Sequence, residues 1–403
     1  MASTAGPVPD TRRQLMVLFV IVFINLVGFG IVLPAFPFFG TMVGATPGQT
    51  TFAMAAYSLG QFVGSPLWGK ASDRYGRRPI LIASLVGAIG SYIVMAHATD
   101  VVTLGASRLV GGLMAGNIAA AFAYVGDITT TEERPKAMGM IGAAFGLGFI
   151  FGPAIGGLMA GSNPDANDFA IIGYASAAIT GVAALAAWAF LPESLTADRR
   201  GAVADAPKVS IGSVLRAKPA IWALMLLTLL MIGSASMMET TFAFFAHDLF
   251  AWGPLQVGLA FAAVGLISTA LQGGAAGPLA RRYASSSLAI AGVAIYGLGL
   301  VLLAIPISVT TVMIAMAVAA VGLGLFNPAF QTMAAAQGDD ADRGLVIGLT
   351  QGASSLGRVI GPGVSGTIYQ SWGPTAPFQV GAAVLVIAVG AALYAARAQG
   401  SRR

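Results

Sequence analysis

The 403 residues are 57% hydrophobic and 9% charged, with no cysteine and a formal net charge of +5, whereas ordinary soluble domains are about one-quarter charged. Such a chain has too little polar surface to cover a core in water, and without thiols it builds neither a disulfide framework nor a thiolate metal site. A mean hydropathy of +0.81 points instead to an all-α membrane protein.

A helix needs roughly 20 apolar residues to cross a bilayer. Stretches of that length, separated by short polar or Gly/Pro breaks, fall at 14–36, 50–70, 79–97, 101–125, 136–160, 169–191, 219–244, 255–279, 287–305, 309–335, 344–369 and 375–397. The expected fold therefore has twelve transmembrane helices. The first stretch follows Arg12 and Arg13, is too long for a leader's apolar region and lacks a small-residue cleavage site, so it is expected to remain as a span.

Of the 21 Lys and Arg, only Arg108 and Arg358 fall inside these spans rather than at their ends or between them. The rest gather at the termini and in alternate loops, as at Lys70, Arg74, Arg77 and Arg78, or Arg281 and Arg282. A basic residue is retained on the cytoplasmic side of a membrane, so both termini are expected there. The positions of the charges thus account for the basic balance without nucleic acid. The longest polar stretch, 192–218, reads as a cytoplasmic linker between six-helix bundles at 1–191 and 219–403.

The bundles echo each other. Gly69-Lys-Ala-Ser-Asp-Arg-Tyr75 has a degenerate counterpart 208 residues later in Gly277-Pro-Leu-Ala-Arg-Arg-Tyr283, and Gly152-Pro-Ala-Ile-Gly-Gly157 has one 209 residues later in Gly361-Pro-Gly-Val-Ser-Gly366. Duplicated bundles favour a site near the mid-membrane about which two halves rock.

In chain order, the first chemically marked segment is Asn25-Leu-Val-Gly-Phe29-Gly-Ile-Val-Leu-Pro34. The loop Gly69-Lys-Ala-Ser-Asp73-Arg74-Tyr-Gly76-Arg77-Arg78-Pro79 packs four cations around one carboxylate, which by itself reads as a positive-inside anchor. Gly64-x4-Gly69-Lys70 has P-loop spacing, but position 71 is alanine and no strand precedes it, so ATP is rejected as the driver. Arg108 opens Arg-Leu-Val-Gly-Gly112 in span four. It cannot release a proton at ordinary pH and is read as a partner for a carboxylate, for an anionic part of the cargo, or as a hydrogen-bond hub. Ala123-Tyr-Val-Gly-Asp127 ends that span. Span five carries Gly142, Gly146, Gly148, Gly152, Pro153, Gly156 and Gly157; small residues let helices approach and Pro153 permits a kink.

Glu239 is the only carboxylate well inside a span. Its charged form is costly in hydrocarbon, which suits a group that binds and releases protons. It lies eight residues past the centre of the span placed at 219–244, about 12 Å towards the outer face. Arg358 is expected either to contact Glu239 or to attract an anionic cargo. His97 and His247 fall near outer loop ends and read as solvated rather than metal-binding. Cavity-lining candidates are Asn25, Phe29, Tyr57, Gln61, Asn117, Met238, Phe326, Asn327, Phe330, Gln331 and Gln351, since apolar walls with few polar groups suit amphipathic ligands.

These segments resemble the major facilitator superfamily, specifically its twelve-span drug:proton antiporter branch near the tetracycline pumps. The matches cover spans one to five and are looser beyond. The resemblance implies that the 69–79 loop and Asp127 form a conformational latch, with Asp73 at the cytoplasmic start of span eleven and Arg77 paired to Asp127. It also implies that span five is an antiporter signature, that Arg108 is linked to proton transfer, and that the protein works as a monomer in a bacterial inner membrane. Position 25 is Asn where these pumps usually have Asp, and span nine has no carboxylate, so the resemblance does not fix tetracycline as the cargo. The expected function is proton-driven export of lipophilic small molecules, with the proton gradient in place of a cofactor, Glu239 as first carrier and Asp127 as alternative. An uncoupled or differently coupled metabolite carrier is the other transport reading. No nucleophile–base cluster points to an enzyme.

Overall fold

A computed structural model describes residues 11–130, 132–195, 211–338 and 342–400. Among them the chain is helical, without a strand. The first half contains α1 (Thr11–Val32), α2 (Phe36–Met42), α3 (Pro47–Tyr75), α4 (Arg77–Ala96), α5 (Val101–Ala115), α6 (Ile118–Ile128), α7 (Arg134–Ala160) and α8 (Ala166–Phe190). The second contains α9 (Ile211–Ala217), α10 (Ala220–Phe250), α11 (Pro254–Ala270), a π-helical turn (Leu271–Ala275), α12 (Ala276–Arg282), α13 (Ser285–Leu303), α14 (Val309–Ala335), α15 (Arg343–Trp372) and α16 (Ala376–Gly400).

Among the described residues, ten helical units are long and apolar enough to cross a membrane, α5–α6 and α11–α12 each counting as one. The other two of the expected twelve are α3 and α15, with 29 and 30 residues. Both are long enough but carry more polar and glycine residues, because they face each other across the two halves and line the space between them. Large apolar side chains such as Phe52, Leu158, Trp188 and Val386 are exposed on the outside of the bundle, as expected of a lipid-facing surface.

Helix ends follow local chemistry. Thr46 and Gln49 form a reciprocal cap at the start of α3, with Pro47 in the first turn. The Asp100 carboxylate accepts from the Val102 and Thr103 N–H groups at the start of α5. Gly76 joins α3 to α4 with φ of 105°, a conformation only glycine adopts cheaply.

Within each half, packing is direct. Helix α1 lies against α7 and α8, α3 against α5, and α4 against α8; in the second half α10 lies against α15 and α16, and α13 against α14. Between the halves, α3 meets α15 and α7 meets α11. Those contacts concentrate on the side away from the linker. There the Gly366 N–H donates to Thr51 Oγ1 at 3.2 Å, the Leu255 N–H donates to the Gly161 carbonyl at 2.9 Å, and Phe38 packs edge-on against His247 at 5.5 Å. A methyl group added to Gly366 would strike Thr51 Oγ1 and the Pro47 carbonyl. On the linker side the same helices part: methyl groups at Gly69 of α3, Gly139 and Gly142 of α7 and Gly348 of α15 would meet nothing within 4 Å, nor would ones at Gly273 and Gly277 in the turn and helix that continue α11. The halves are closed at one end and splayed at the other.

Four local features differ from the expected elements. The span placed at 101–125 breaks at Gly116–Asn117, and the span at 255–279 contains the π-helical turn. Helix α10 continues to Phe250, six residues beyond the expected 244, so Glu239 lies four residues, about 6 Å, from its midpoint instead of 12 Å. The expected linker is not wholly irregular. Its end forms α9, which packs Val214 on Ile221 and Val346, while 196–210 lie outside the described residues.

Candidate functional site

The helices enclose a cavity of about 130 Å³ between the halves, room for on the order of ten waters at ~10–15 Å³ each. All but five of its lining residues come from the first half; the exceptions are Ser236, Glu239 and Thr240 on α10 and Arg358 and Pro362 on α15. Apolar walls from Phe29, Phe36, Met54, Phe145 and Phe149 alternate with Asn25, Tyr57, Gln61, Tyr92 and Asn117.

Arg108 is carried into this wall by close helix packing. A methyl group on Gly112 would strike the Tyr57 carbonyl, and one on Gly60 the Leu109 carbonyl. Glycine at these positions lets α3 and α5 approach backbone to backbone, which sets the Tyr57 ring beside the arginine. The guanidinium carbon lies 5.7 Å from the ring centroids of Phe36 and Tyr57 and 5.5 Å from that of Tyr92. Only 3% of Arg108 is exposed, and its Nε and Nη2 have no hydrogen-bond partner among the described residues. Cation–π contacts contribute ~0.5–2 kcal/mol, whereas removing an ion from water costs several. The box holds the charge without satisfying it.

Across the cavity, Glu239 is half-buried and makes no hydrogen bond or ion pair among the described residues. Arg358 is exposed into the same space and acts electrostatically on Glu239. Beside them Thr240 Oγ1 donates to the Ser236 carbonyl at 2.8 Å and lies 3.1 Å from Ser365 Oγ, tying α10 to α15. At the break between α5 and α6, Trp68 Nε1 donates to the Leu113 carbonyl at 2.7 Å, and Asn117 Nδ2 donates to Ser84 Oγ at 2.8 Å.

Eight of the expected site residues thus share one cavity: Asn25, Phe29, Tyr57, Gln61, Arg108, Asn117, Glu239 and Arg358. The others do not line it. Met238, Phe326 and Phe330 are packed in the core of the second half, Asn327 is half-buried, and Gln331 and Gln351 are exposed elsewhere. Sequence reasoning missed Phe36 and Tyr92, because an aromatic in an apolar run carries no signal of which neighbour it will face. Ser236, three residues before Glu239, was findable from helical spacing, whereas Thr240 follows Glu239 directly and carries no such signal.

The loop at 69–79 builds a second polar cluster, on the linker side of the first half. Arg77 Nε donates to Asp127 Oδ2 at 3.0 Å, and its Nη1 donates to Asp73 Oδ1 at 2.5 Å and Ser72 Oγ at 2.7 Å. The Arg77–Asp127 pairing is the one expected. Among the described residues, however, Asp73 pairs with Arg77 in its own half and not with α15; the separation of the halves on this side leaves it there. Arg74 lies over Tyr75, Arg78 Nη2 donates to the Trp188 carbonyl at 2.5 Å, and Gly69 is in open space. Glu193 accepts from the Arg77 and Arg78 N–H groups at 2.8 and 3.2 Å, and Ser194 Oγ donates to Asp127 Oδ2 at 3.0 Å. A carboxylate at the N-terminus of α4 complements the helix dipole, a role visible in the sequence only as an acid just past span six.

The glycines of α7 serve two faces. Gly148, Gly152 and Gly156 abut Leu26, Gly30 and Ile31 of α1, while Gly146 meets Thr269 and Gly157 meets Pro254 and Gly258 of α11. The Pro153 carbonyl faces Gly258, and Gly142 faces open space. The segment is therefore both an internal seam and part of the contact between halves. His97 pairs with Tyr174 at 2.8 Å, and His247 Nδ1 lies 3.1 Å from the Trp252 carbonyl. Among the described residues no group of three or more His, Cys, Asp or Glu could hold a metal ion.

Residues 18–285 and 250–403 match the Major Facilitator Superfamily. The chain is 31% identical to the class C tetracycline resistance protein of Escherichia coli, over 94% of this chain and 96% of that one. Its fold is similar to that of the human organic anion transporter MFSD10 (TETRAN), with a TM-score of 0.70, 24% identity and coverage of 96% and 100%. It is also similar to a bacterial homologue of the human lysosomal transporter Spinster in an inward-facing, occupied conformation, with a TM-score of 0.79, 14% identity and coverage of 97% and 98%.

Proposed function

The chain belongs to the Major Facilitator Superfamily, and on that footing we propose that it is a proton-coupled antiporter exporting amphipathic small molecules from the bacterial cytoplasm by alternating access. The observation that carries this reading is Glu239: a carboxylate facing the cavity between the halves, with neither ion pair nor hydrogen bond among the described residues to hold it in one protonation state.

The clustered basic residues make the linker side cytoplasmic, so the splayed end opens inward. Cargo enters from the cytoplasm or inner leaflet and settles on the aromatic wall as Glu239 gives up its proton. Closure of the linker side and opening at the Thr51–Gly366 and Gly161–Leu255 contacts expose the cavity outward. There a proton returns to Glu239, cargo leaves, and the halves rock back. The proton gradient supplies the drive, and each chain carries a full cavity, so a monomer suffices. In the outward-open form, Asp73 reaches the start of α15 while Arg77 keeps Asp127, which makes the 69–79 loop a latch.

The test is proton release from detergent-solubilised protein on addition of tetracyclines and lipophilic cations, in wild type and Glu239→Gln. Release in wild type that vanishes in the variant supports antiport through this carboxylate. Binding without release in either protein moves the reading to an uncoupled metabolite carrier, which the amide groups of Asn25, Gln61 and Asn117 on the cavity wall would also suit.

A further inference from the structure

Arg108 lacks a counter-charge of its own. Among the described residues no carboxylate of the first half lines the cavity; Asp100, about two turns earlier, caps the start of α5, and Asp73 and Asp127 are bound in the linker-side cluster around Arg77. The cavity wall carries two guanidinium groups, Arg108 and Arg358, and one carboxylate, Glu239. Arg358 acts electrostatically on that carboxylate, whereas Arg108 belongs to the first half and sits inside three aromatic rings, with two of its nitrogens unpartnered among the described residues. Even with Glu239 ionised, one positive charge remains in excess.

We infer that the cargo is amphoteric: its acidic group docks on Arg108 within the Phe36–Tyr57–Tyr92 box, and a basic or hydrogen-bond-donating group at its other end faces Glu239. The inference rests on the proposed function in taking this cavity as the cargo site and, for the second group, in taking proton exchange as the drive. An anion supplies the acceptor that Nε and Nη2 lack, and guanidinium nitrogens in a plane suit the paired oxygens of a carboxylate, sulfonate or phosphonate. The phenol hydroxyls of Tyr57 and Tyr92 are further donors for such a group. The second group follows from the direction of exchange. A negative charge entering the cavity favours a protonated Glu239, so an anion alone draws a proton in. Only a donor or cation facing Glu239 displaces its proton, as antiport requires.

Four naphthalenes separate the contributions: 5-(aminomethyl)naphthalene-1-sulfonate, naphthalene-1-sulfonate, 1-naphthylmethylamine and naphthalene-1-sulfonamide, bound to purified full-length protein in non-ionic detergent and measured by equilibrium dialysis. Wild type is expected to bind the zwitterion at least ten-fold tighter than the amine or the sulfonate. In Arg108→Gln the advantage over the amine disappears while the advantage over the sulfonate persists; in Glu239→Gln the pattern reverses. Arg108→Lys, which keeps the charge in the box, retains the sulfonate preference and covers the case in which the glutamine variant fails to fold. The inference is overturned if the amine or the neutral sulfonamide binds wild type as tightly as the zwitterion, or if Arg108→Gln and Arg108→Lys weaken all four ligands equally. Proton release on binding is read in the same samples. Residue-dependent selectivity without release keeps the two subsites and sinks the exchange reading, whereas release driven by the amine alone keeps exchange and sinks the acidic subsite.

Discussion

The two halves are built on one plan but are chemically unlike. At the repeat offset of 208, Arg108 corresponds to Met316, which is 1% exposed in the core of the second half, and Glu239 corresponds to Ile31, fully buried in the first. At the offset of 209, Arg358 corresponds to Phe149, a ring that meets Phe29 on the cavity wall. Every charge in the cavity thus has an apolar counterpart. The scaffold of a duplicated bundle requires small residues at helix crossings in both copies, as at Gly112 on Tyr57 and Gly322 on Tyr296, but places no demand on charge. One half supplies the cation in its aromatic box and most of the wall; the other supplies the carboxylate and a second cation.

Exchanging the counterparts breaks this comparison most severely. Met316→Arg places a guanidinium in a closed core with no cavity or counter-charge, at a cost of several kcal/mol, and is expected to abolish recovery of folded protein. Arg108→Met, the converse, removes an unsatisfied ion and is expected to preserve or raise the unfolding temperature in detergent. Equal tolerance of both changes would show that the halves differ less than their burial implies.

Next in size is Arg77→Ala. It strands Asp127 and Asp73 on the linker side of the first half, and because Asp73 is 40% exposed the loss is about 2–3 kcal/mol, below that of a fully buried pair. Denaturant or thermal unfolding measures it. In the second half the buried Lys218–Asp342 pair at 2.7 Å sits beside α9, so Lys218→Ala sharpens the comparison by testing whether that half depends on one pair as strongly as the first depends on its network.

Gly366→Leu acts on the contact between halves. Its side chain collides with Thr51 and Pro47, so the end away from the linker is expected to stand open. The chain has no cysteine, so Cys introduced at Gly48 and Thr367 reports closure by cross-linking without background. A cross-link that forms in the parent and drops several-fold with Leu at position 366 is the expected result.

The smallest effect is local. Hydrogen bonds from Thr103 and Val102 hold the Asp100 carboxyl below its ordinary range despite its exposure. A depressed folded-state value means that the cap contributes stability above the unfolded value near 3.8 and loses it as pH falls through the folded one. Asp100→Ala should therefore lower the unfolding temperature at neutral pH and by progressively less below pH 4.

Much of this was legible in the sequence. Long apolar runs, alternate basic loops and the two echoed motifs define the spans and the repeat, and charge in hydrocarbon marks Arg108, Glu239 and Arg358. The aromatic box was not legible, because Phe36, Tyr57 and Tyr92 come from three helices, α2, α3 and α4, and surround Arg108 only once these pack around α5. Met238, Phe326 and Phe330 were chosen by residue type, and the same types fill a core; nothing in a helix's own sequence distinguishes the wall of a cavity from the interior beside it. Asp73 shows a further limit, since it pairs with Arg77 four residues along in its own half, a choice among nearby cations that the sequence does not state.

The most direct test reconstitutes wild type and Glu239→Gln in vesicles, using a cargo that wild type binds with proton release. Two rates are measured, transport driven by a pH gradient and cargo-for-cargo exchange without one. The account predicts that the variant loses gradient-driven transport by at least ten-fold while exchange persists. Undiminished gradient-driven transport by Glu239→Gln would contradict it and place proton coupling elsewhere in the molecule.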